Sequence, residues 1–204
     1  MFFVKWWWPV SVIETYLLWK NYRVVVTKNS VDIVTQRYPA FVIWDGEKTI
    51  SQLIDAENTI REEMKLTPVI HCIEKSTKIA RHLKKQSLNF TSVPQKNKNI
   101  ELFHRIALAP GWVVETVELD SVTEKNKALF IKILDLFESN VFGIDVIMEE
   151  WMHVDYDKQK CIFLEVNSRP YLKMHEYPRF GEKPDMKKLY DTLDALEVEG
   201  IGVF

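Results

Sequence analysis

Two short apolar runs carry oxygen-rich side chains where an apolar strand has little use for them. Phe142-Gly143-Ile144-Asp145-Val146-Ile147-Met148 holds Asp145, and Cys161-Ile162-Phe163-Leu164-Glu165-Val166-Asn167 holds Glu165 and Asn167 and stops before Pro170. Both runs are rich in β-branched and aromatic residues and read as strands. An unpaired carboxylate there is costly, so each acid needs a partner or a ligand. Residues two apart on a strand share a face, which aligns Glu165 with Asn167. If the two strands pair antiparallel, Asp145 joins them. Two carboxylates and an amide carbonyl form a hard-oxygen set suited to Mg²⁺ or Mn²⁺, with phosphate completing the shell. Glu-x-Asn alone has a plainer reading, a polar edge strand with solvated side chains.

The rest of the chain must position these groups. Residues 10–17, 22–27, 31–35 and 40–44 read as strands, with a turn at Asn29-Ser30 and another at Asp45-Gly46, so a meander is expected. Thr49 suits an N-cap for a helix that turns Ile50, Leu53 and Ile54 inward, with Ile60 a further candidate for that side. A second helix is expected over residues 73–86, with Ile79, Ala80 and Leu83 inside and Lys75, Lys78, Arg81, Lys84 and Lys85 on a basic face. That face reads as an anion or partner surface, or equally as a solvated helix side. Residues 87–100 form a polar loop and residues 100–105 a strand. Thr123 opens a helix to about Phe137 with Phe130, Ile131, Leu134 and Phe137 as its core stripe. Pro184 begins a closing helix that buries Leu189, Leu193 and Leu196. Residues 10–198 are expected to be one unit, with residues 1–9 unassigned and 199–204 a loose tail.

At 204 residues, 47% hydrophobic and 27% charged, the chain has a globular composition. A net charge of −2 gives no field for nucleic acid. No apolar run reaches membrane-spanning length, and the aromatic opening is too short and bulky for a signal peptide. Cys72 and Cys161 lack zinc-ligand spacing and read as buried free thiols in a reducing compartment. A cytoplasmic protein is expected. His71 and His82 read as structural or surface residues, and no Ser-His-Asp or Cys-His arrangement stands out.

Taken together, Val141-Phe142-Gly143-Ile144-Asp145-Val146-Ile147, Phe163-Leu164-Glu165-Val166-Asn167-Ser168-Arg169-Pro170 and Met174-His175-Glu176-Tyr177-Pro178 resemble the end of an ATP-grasp domain. The resemblance is nearest to cyanophycin synthetase and the bifunctional glutathione synthetases, and it covers residues from about 12 to 196. It implies an α+β fold, an antiparallel sheet with flanking helices. It also implies ATP and Mg (or Mn) as cofactors, the metal being held by Asp145, Glu165 and Asn167. Val12 to Leu17 resembles the hinge strand, so Glu14, Thr15, Tyr16 and Leu17 would read the adenine edge through their backbone, with Asn21 and Arg23 beyond them. Arg105 resembles the arginine that faces the γ-phosphate and the acyl phosphate, a task suited to a planar, permanently charged fork.

The implied chemistry is amide formation. ATP phosphorylates the carboxylate of an amino acid or peptide, and an amine displaces phosphate. The sequence departs from the family at several places. Trp19 and Trp44 stand where it has glycine, Asn21 where an acid meets the ribose, and Leu108-Ala109-Pro110-Gly111-Trp112 where it has a small-residue loop. The first glycine is Gly46, so no glycine-rich phosphate loop precedes the hinge. The expectation is therefore a truncated ATP-grasp ligase domain that works with a missing-lobe chain or by self-association. The alternative is a non-catalytic remnant or binding module of the same fold.

Overall fold

A computed structural model of the chain describes residues 17, 19–28, 30–94, 99–104, 106, 111–137 and 139–198. Its centre is a five-stranded antiparallel sheet in the order β5-β2-β1-β6-β7. The strands are β1 (Lys20–Thr27), β2 (Ser30–Tyr38), β5 (Val113–Val117), β6 (Val141–Met148) and β7 (Cys161–Asn167). A two-stranded sheet pairs β3 (Phe41–Ile43) with β4 (Asn99–Glu101). The α+β architecture expected from the sequence is the one found.

Alternation along β1 and β6 divides the large sheet into two faces. One face carries Tyr22, Val24, Val26, Ile144 and Val146 and is covered by α3 (Glu124–Leu136), which inserts Phe130 and Leu134. Thr123 caps that helix through the Asn126 N–H, and Phe137 lies just past its end, exposed rather than in the core stripe. The other face is apolar at one end only. There Val25, Ile33 and Val141 meet Met186 and Leu189 of α4 (Met186–Val198).

The small sheet packs with α1 (Ile50–Glu63) and α2 (Thr77–Lys85) around Trp44, Ile54, Ile79 and Leu83. Thr49 caps α1 as expected and forms a full capping box with Gln52. The second helix starts four residues later than its apolar spacing suggested. Asn58 holds both the N–H and the C=O of Ile73 in a non-helical arrangement, and Ser76 then supplies the cap. The expected strand through Arg105 is short, ending at Glu101. Cys72 and Cys161 are free but half-buried rather than buried.

β6 and β7 pair antiparallel with one irregularity. Asp145 lies opposite Glu165 and Val146 opposite Phe163, which leaves Leu164 as an extra residue in a β-bulge. The bulge lets Phe163 reach Phe130 of α3, with ring centroids 6.3 Å apart, while Glu165 turns to the opposite face. β7 closes the sheet at its edge among the described residues.

Candidate active site

The polar end of the second sheet face is a row that crosses all five strands. Thr116, Thr35, Arg23, Asp145 and Glu165 are successive register partners on β5, β2, β1, β6 and β7. Five strands thus each contribute one polar residue to one line. Such residues lie about 5 Å apart at their Cα atoms, close enough for direct contact.

Arg23 anchors the row. Its Nε and Nη2 donate to the two oxygens of Asp145, the latter at 2.8 Å, and its Nη2 lies 3.5 Å from Glu165. Arg37 comes from the next row on β2 and places its Nη2 3.0 Å from Asp145, while its Nε donates to the Asn21 amide oxygen at 2.7 Å. Asn167 donates to Glu165 at 2.9 Å. Two arginines and two carboxylates thus balance one another, and two side-chain amides complete the cluster. Asp145 is 5% exposed, whereas the Glu165 side chain is 56% exposed. Burial alone would raise the Asp145 carboxyl, but the hydrogen bond from Arg23 and the charges of Arg37 and Arg23 outweigh it and hold it below the usual carboxylate range. Burial draws the Arg37 guanidinium below its ordinary value, against the opposing pull of Asp145.

Gly143 makes room for this arrangement. A Cβ at that position would lie 2.7 Å from the Pro170 Cβ and 3.4 Å from the Arg23 Cδ. The glycine before Ile144-Asp145 therefore has a steric cause in both the returning chain and the arginine.

Behind the row sits His175, in a 3-10 turn spanning Leu172–Glu176. Its Nδ1 and the Thr35 hydroxyl are 2.6 Å apart, and its Nε2 is buried with no hydrogen-bond partner among the described residues. Burial, reinforced by the charges of Arg23 and Arg37, pushes the imidazole down to about 3, so it is neutral across the physiological range. Sequence reasoning passed over Thr35 and Arg37 as site residues and quoted His175 only within a motif. Arg37 was findable as a charge in an apolar strand; its pairing with Asp145, 108 positions away, was not.

A groove of about 550 Å³ opens at the strand ends beside the row, lined by Leu17, Trp19, Asn21, Arg37, Ile147 and Trp151 among others. Leu17 and Asn21 thus lie in the groove. Arg23 lies with the carboxylates instead of lining the groove. Glu14, Thr15, Tyr16 and Arg105 are outside the described residues. Arg37 touches both places. His82, read from the sequence as structural or surface, approaches Glu101 at 3.4 Å and stacks on His104.

The donor set suits a hard divalent cation. Asp145, Glu165 and Asn167 share one face, Arg23 links the two carboxylates, and Glu165 is open to solvent. It is a set of two acids and an amide. Among the described residues no three His, Cys, Asp or Glu side chains group as a metal site.

No family model matches the chain. In sequence it is 27% identical over 186 residues to the bifunctional glutathione biosynthesis protein of Listeria innocua, covering 89% of this chain and 23% of that protein. The corresponding protein of Enterococcus faecalis is 27% identical over 191 residues, 92% of this chain and 24% of its own length. Cyanophycin synthetase of Synechocystis is 26% identical over 172 residues, 83% of this chain and 19% of that enzyme. The chain therefore spans about a quarter or less of the curated relatives it matches. In structure it superposes on a bifunctional glutathione synthetase from Pasteurella multocida with a TM-score of 0.74 and 22% identity, covering 90% of this chain and 25% of that one. The chain carries an ATP-grasp fold, and its sequence resembles the ATP-grasp ligases represented by bifunctional glutathione synthetase and cyanophycin synthetase.

Proposed function

We propose that this chain forms the metal-holding side of an ATP-dependent carboxylate–amine ligase. The observation that carries this reading is the row Arg23–Asp145–Glu165, which Arg37 joins to the groove. Asp145, Glu165 and Asn167 would hold Mg²⁺ or Mn²⁺, which when bound neutralises phosphate charge during phosphoryl transfer. Leu17 and Asn21 would face the nucleotide. Arg23 and Arg37 would offer guanidinium forks to phosphate oxygens, with Arg105 facing the transferred group. The γ-phosphoryl group would pass to a substrate carboxylate with release of ADP. An amine would then attack the acyl carbon, form the amide and expel phosphate. The acid and amine would be amino acids or peptides.

Phosphate-side lysines and a glycine-rich loop would come from protein beyond the described residues. Each such charge-assisted contact is worth roughly 1.5–3 kcal/mol, so the 204-residue chain alone should bind ATP·Mg²⁺ weakly and release no ADP. One observation favours a second reading, a binding module without turnover: both oxygens of Asp145 are already taken by arginines.

Calorimetric titration with ATP·Mn²⁺ on wild type and Glu165→Ala tests the metal assignment, the variant being expected to bind more weakly. Identical isotherms would remove Glu165 from the site. An ADP-release assay over amino acids and dipeptides, run on the chain alone and with a phosphate-side ATP-grasp lobe added, separates the two readings. Micromolar binding with substrate-dependent ADP release would establish a complete ligase in this chain alone, and release only with the added lobe supports the ligase reading. Metal-dependent binding without release under either condition fits the module.

A further inference from the structure

Two features of the polar row are unexplained separately and fit together. Asp145 is over-subscribed: Arg23 takes both of its oxygens and Arg37 shares one. His175 is under-subscribed: it is 1% exposed, yet its Nε2 has no partner among the described residues. Resting on the metal reading above, Asp145 can meet a cation only by releasing guanidinium N–H groups. In a buried cluster each released donor needs another acceptor, because an unpaired one is costly. The neighbouring acceptors are either engaged already or, on the metal reading, taken by the cation itself, as the remaining oxygens of Glu165 and Asn167 would be. The Asn21 oxygen accepts from Arg37, one Glu165 oxygen accepts from Asn167, and Thr35 is engaged with the imidazole.

Among the described residues two buried acceptors along this row have no partner, the Thr116 hydroxyl on β5 and the Nε2 of His175, and His175 is the one held on the register partner of Arg23. Thr35 is the direct register partner of Arg23, His175 sits on Thr35 at 2.6 Å, and the charges of Arg23 and Arg37 both act on the imidazole. With the proton on Nδ1, donated to the Thr35 oxygen, Nε2 keeps an unshared lone pair that can accept a hydrogen bond. We infer that His175 is a positioning residue, which accepts an N–H of Arg23 when Asp145 turns from the arginine to a cation. The neutral imidazole serves as the arginine's second seat, and the metal exchanges places with a guanidinium instead of entering against it. His175 itself touches neither metal nor substrate in this scheme.

The test reads the imidazole directly. In long-range ¹H–¹⁵N spectra of the labelled chain, Nε2 should resonate as a bare acceptor in the free protein and move upfield on addition of Mg²⁺·ATP. Asp145→Asn weakens the hold on Arg23 without any metal, so its Nε2 should already be displaced. Two variants split the ring. His175→Gln places an amide oxygen where Nε2 was and should keep Mn²⁺·ATP affinity within about threefold, whereas His175→Asn retains only the Nδ1-like group and should lose at least roughly tenfold, as disrupted outer-shell partners do. Thermal melts check that both variants fold. An Nε2 signal unmoved in both spectra overturns the inference, as does equal affinity of folded Gln and Asn variants. If wild type takes up no Mn²⁺·ATP, the metal reading fails with it, while the Asp145→Asn spectrum still judges whether Arg23 and His175 can pair.

Discussion

Gly143 and His175 show how much one side chain can decide at this site. Gly143→Ala would drive a methyl into Pro170 and crowd Arg23, so it should destabilise the fold by about 1–3 kcal/mol. Urea unfolding measures this, and an unchanged midpoint would mean that the segment after β7 yields freely. His175 sets a dependence on pH. The folded imidazole stays neutral down to about 3, whereas in the unfolded chain it charges below roughly 6.5. The unfolded state therefore binds more protons between those values, and stability is full above the window and falls as pH drops through it. Asp145, held low by its arginines, acts in the same direction. His175→Gln should flatten the decline between pH 7 and pH 5. An equal slope in wild type and variant would contradict the buried neutral ring.

At the scale of elements, the capping box at the start of α1 is the most local of the devices. Thr49→Ala should cost about 1 kcal/mol, read as a lower urea midpoint, because the Gln52 N–H loses its side-chain acceptor. Local chemistry of this kind was legible in the sequence. Thr49 and Thr123 as caps and the strands bearing Asp145 and Glu165 follow from propensity and spacing. What was not legible depends on distant partners. The start of α2 is set by Asn58 gripping Ile73, fifteen residues away, against an apolar pattern that favoured an earlier start. β5, Val113–Val117, was not expected, although its composition is strand-like. It follows a segment read only for its departure from the family. The order of the sheet brings Thr35, Arg23 and Asp145 into one line, and no local rule predicts that order.

The molecule as a whole leaves apolar surface uncovered. Leu136 is 73% exposed, Phe137 60% and Leu164 53%, at the end of α3 and on the edge strand. Exposed apolar side chains at a helix end and on an edge strand favour association. The chain should therefore self-associate with rising concentration in sedimentation velocity, and Leu136→Lys should weaken that association without altering the melt. A strictly monomeric wild type would leave these side chains without a partner. The proposed need for phosphate-side groups from other protein gives the same surface a second possible use.

The extra residue at Leu164 has a consequence for solubility over long times. An exposed, apolar edge strand with a regular row of donors and acceptors is a template on which further strands can stack into fibrils. Here the bulge interrupts that row at its middle and twists the edge. Deleting Leu164 would restore an unbroken ladder with Glu165 still opposite Asp145. The shortened chain should keep the polar row and its metal response but nucleate thioflavin-positive fibrils sooner than wild type under agitation. Equal lag times would show that the irregularity does not guard the edge. One residue, silent in the chemistry, would then hold the protein back from polymerising along the strand that carries Glu165 and Asn167.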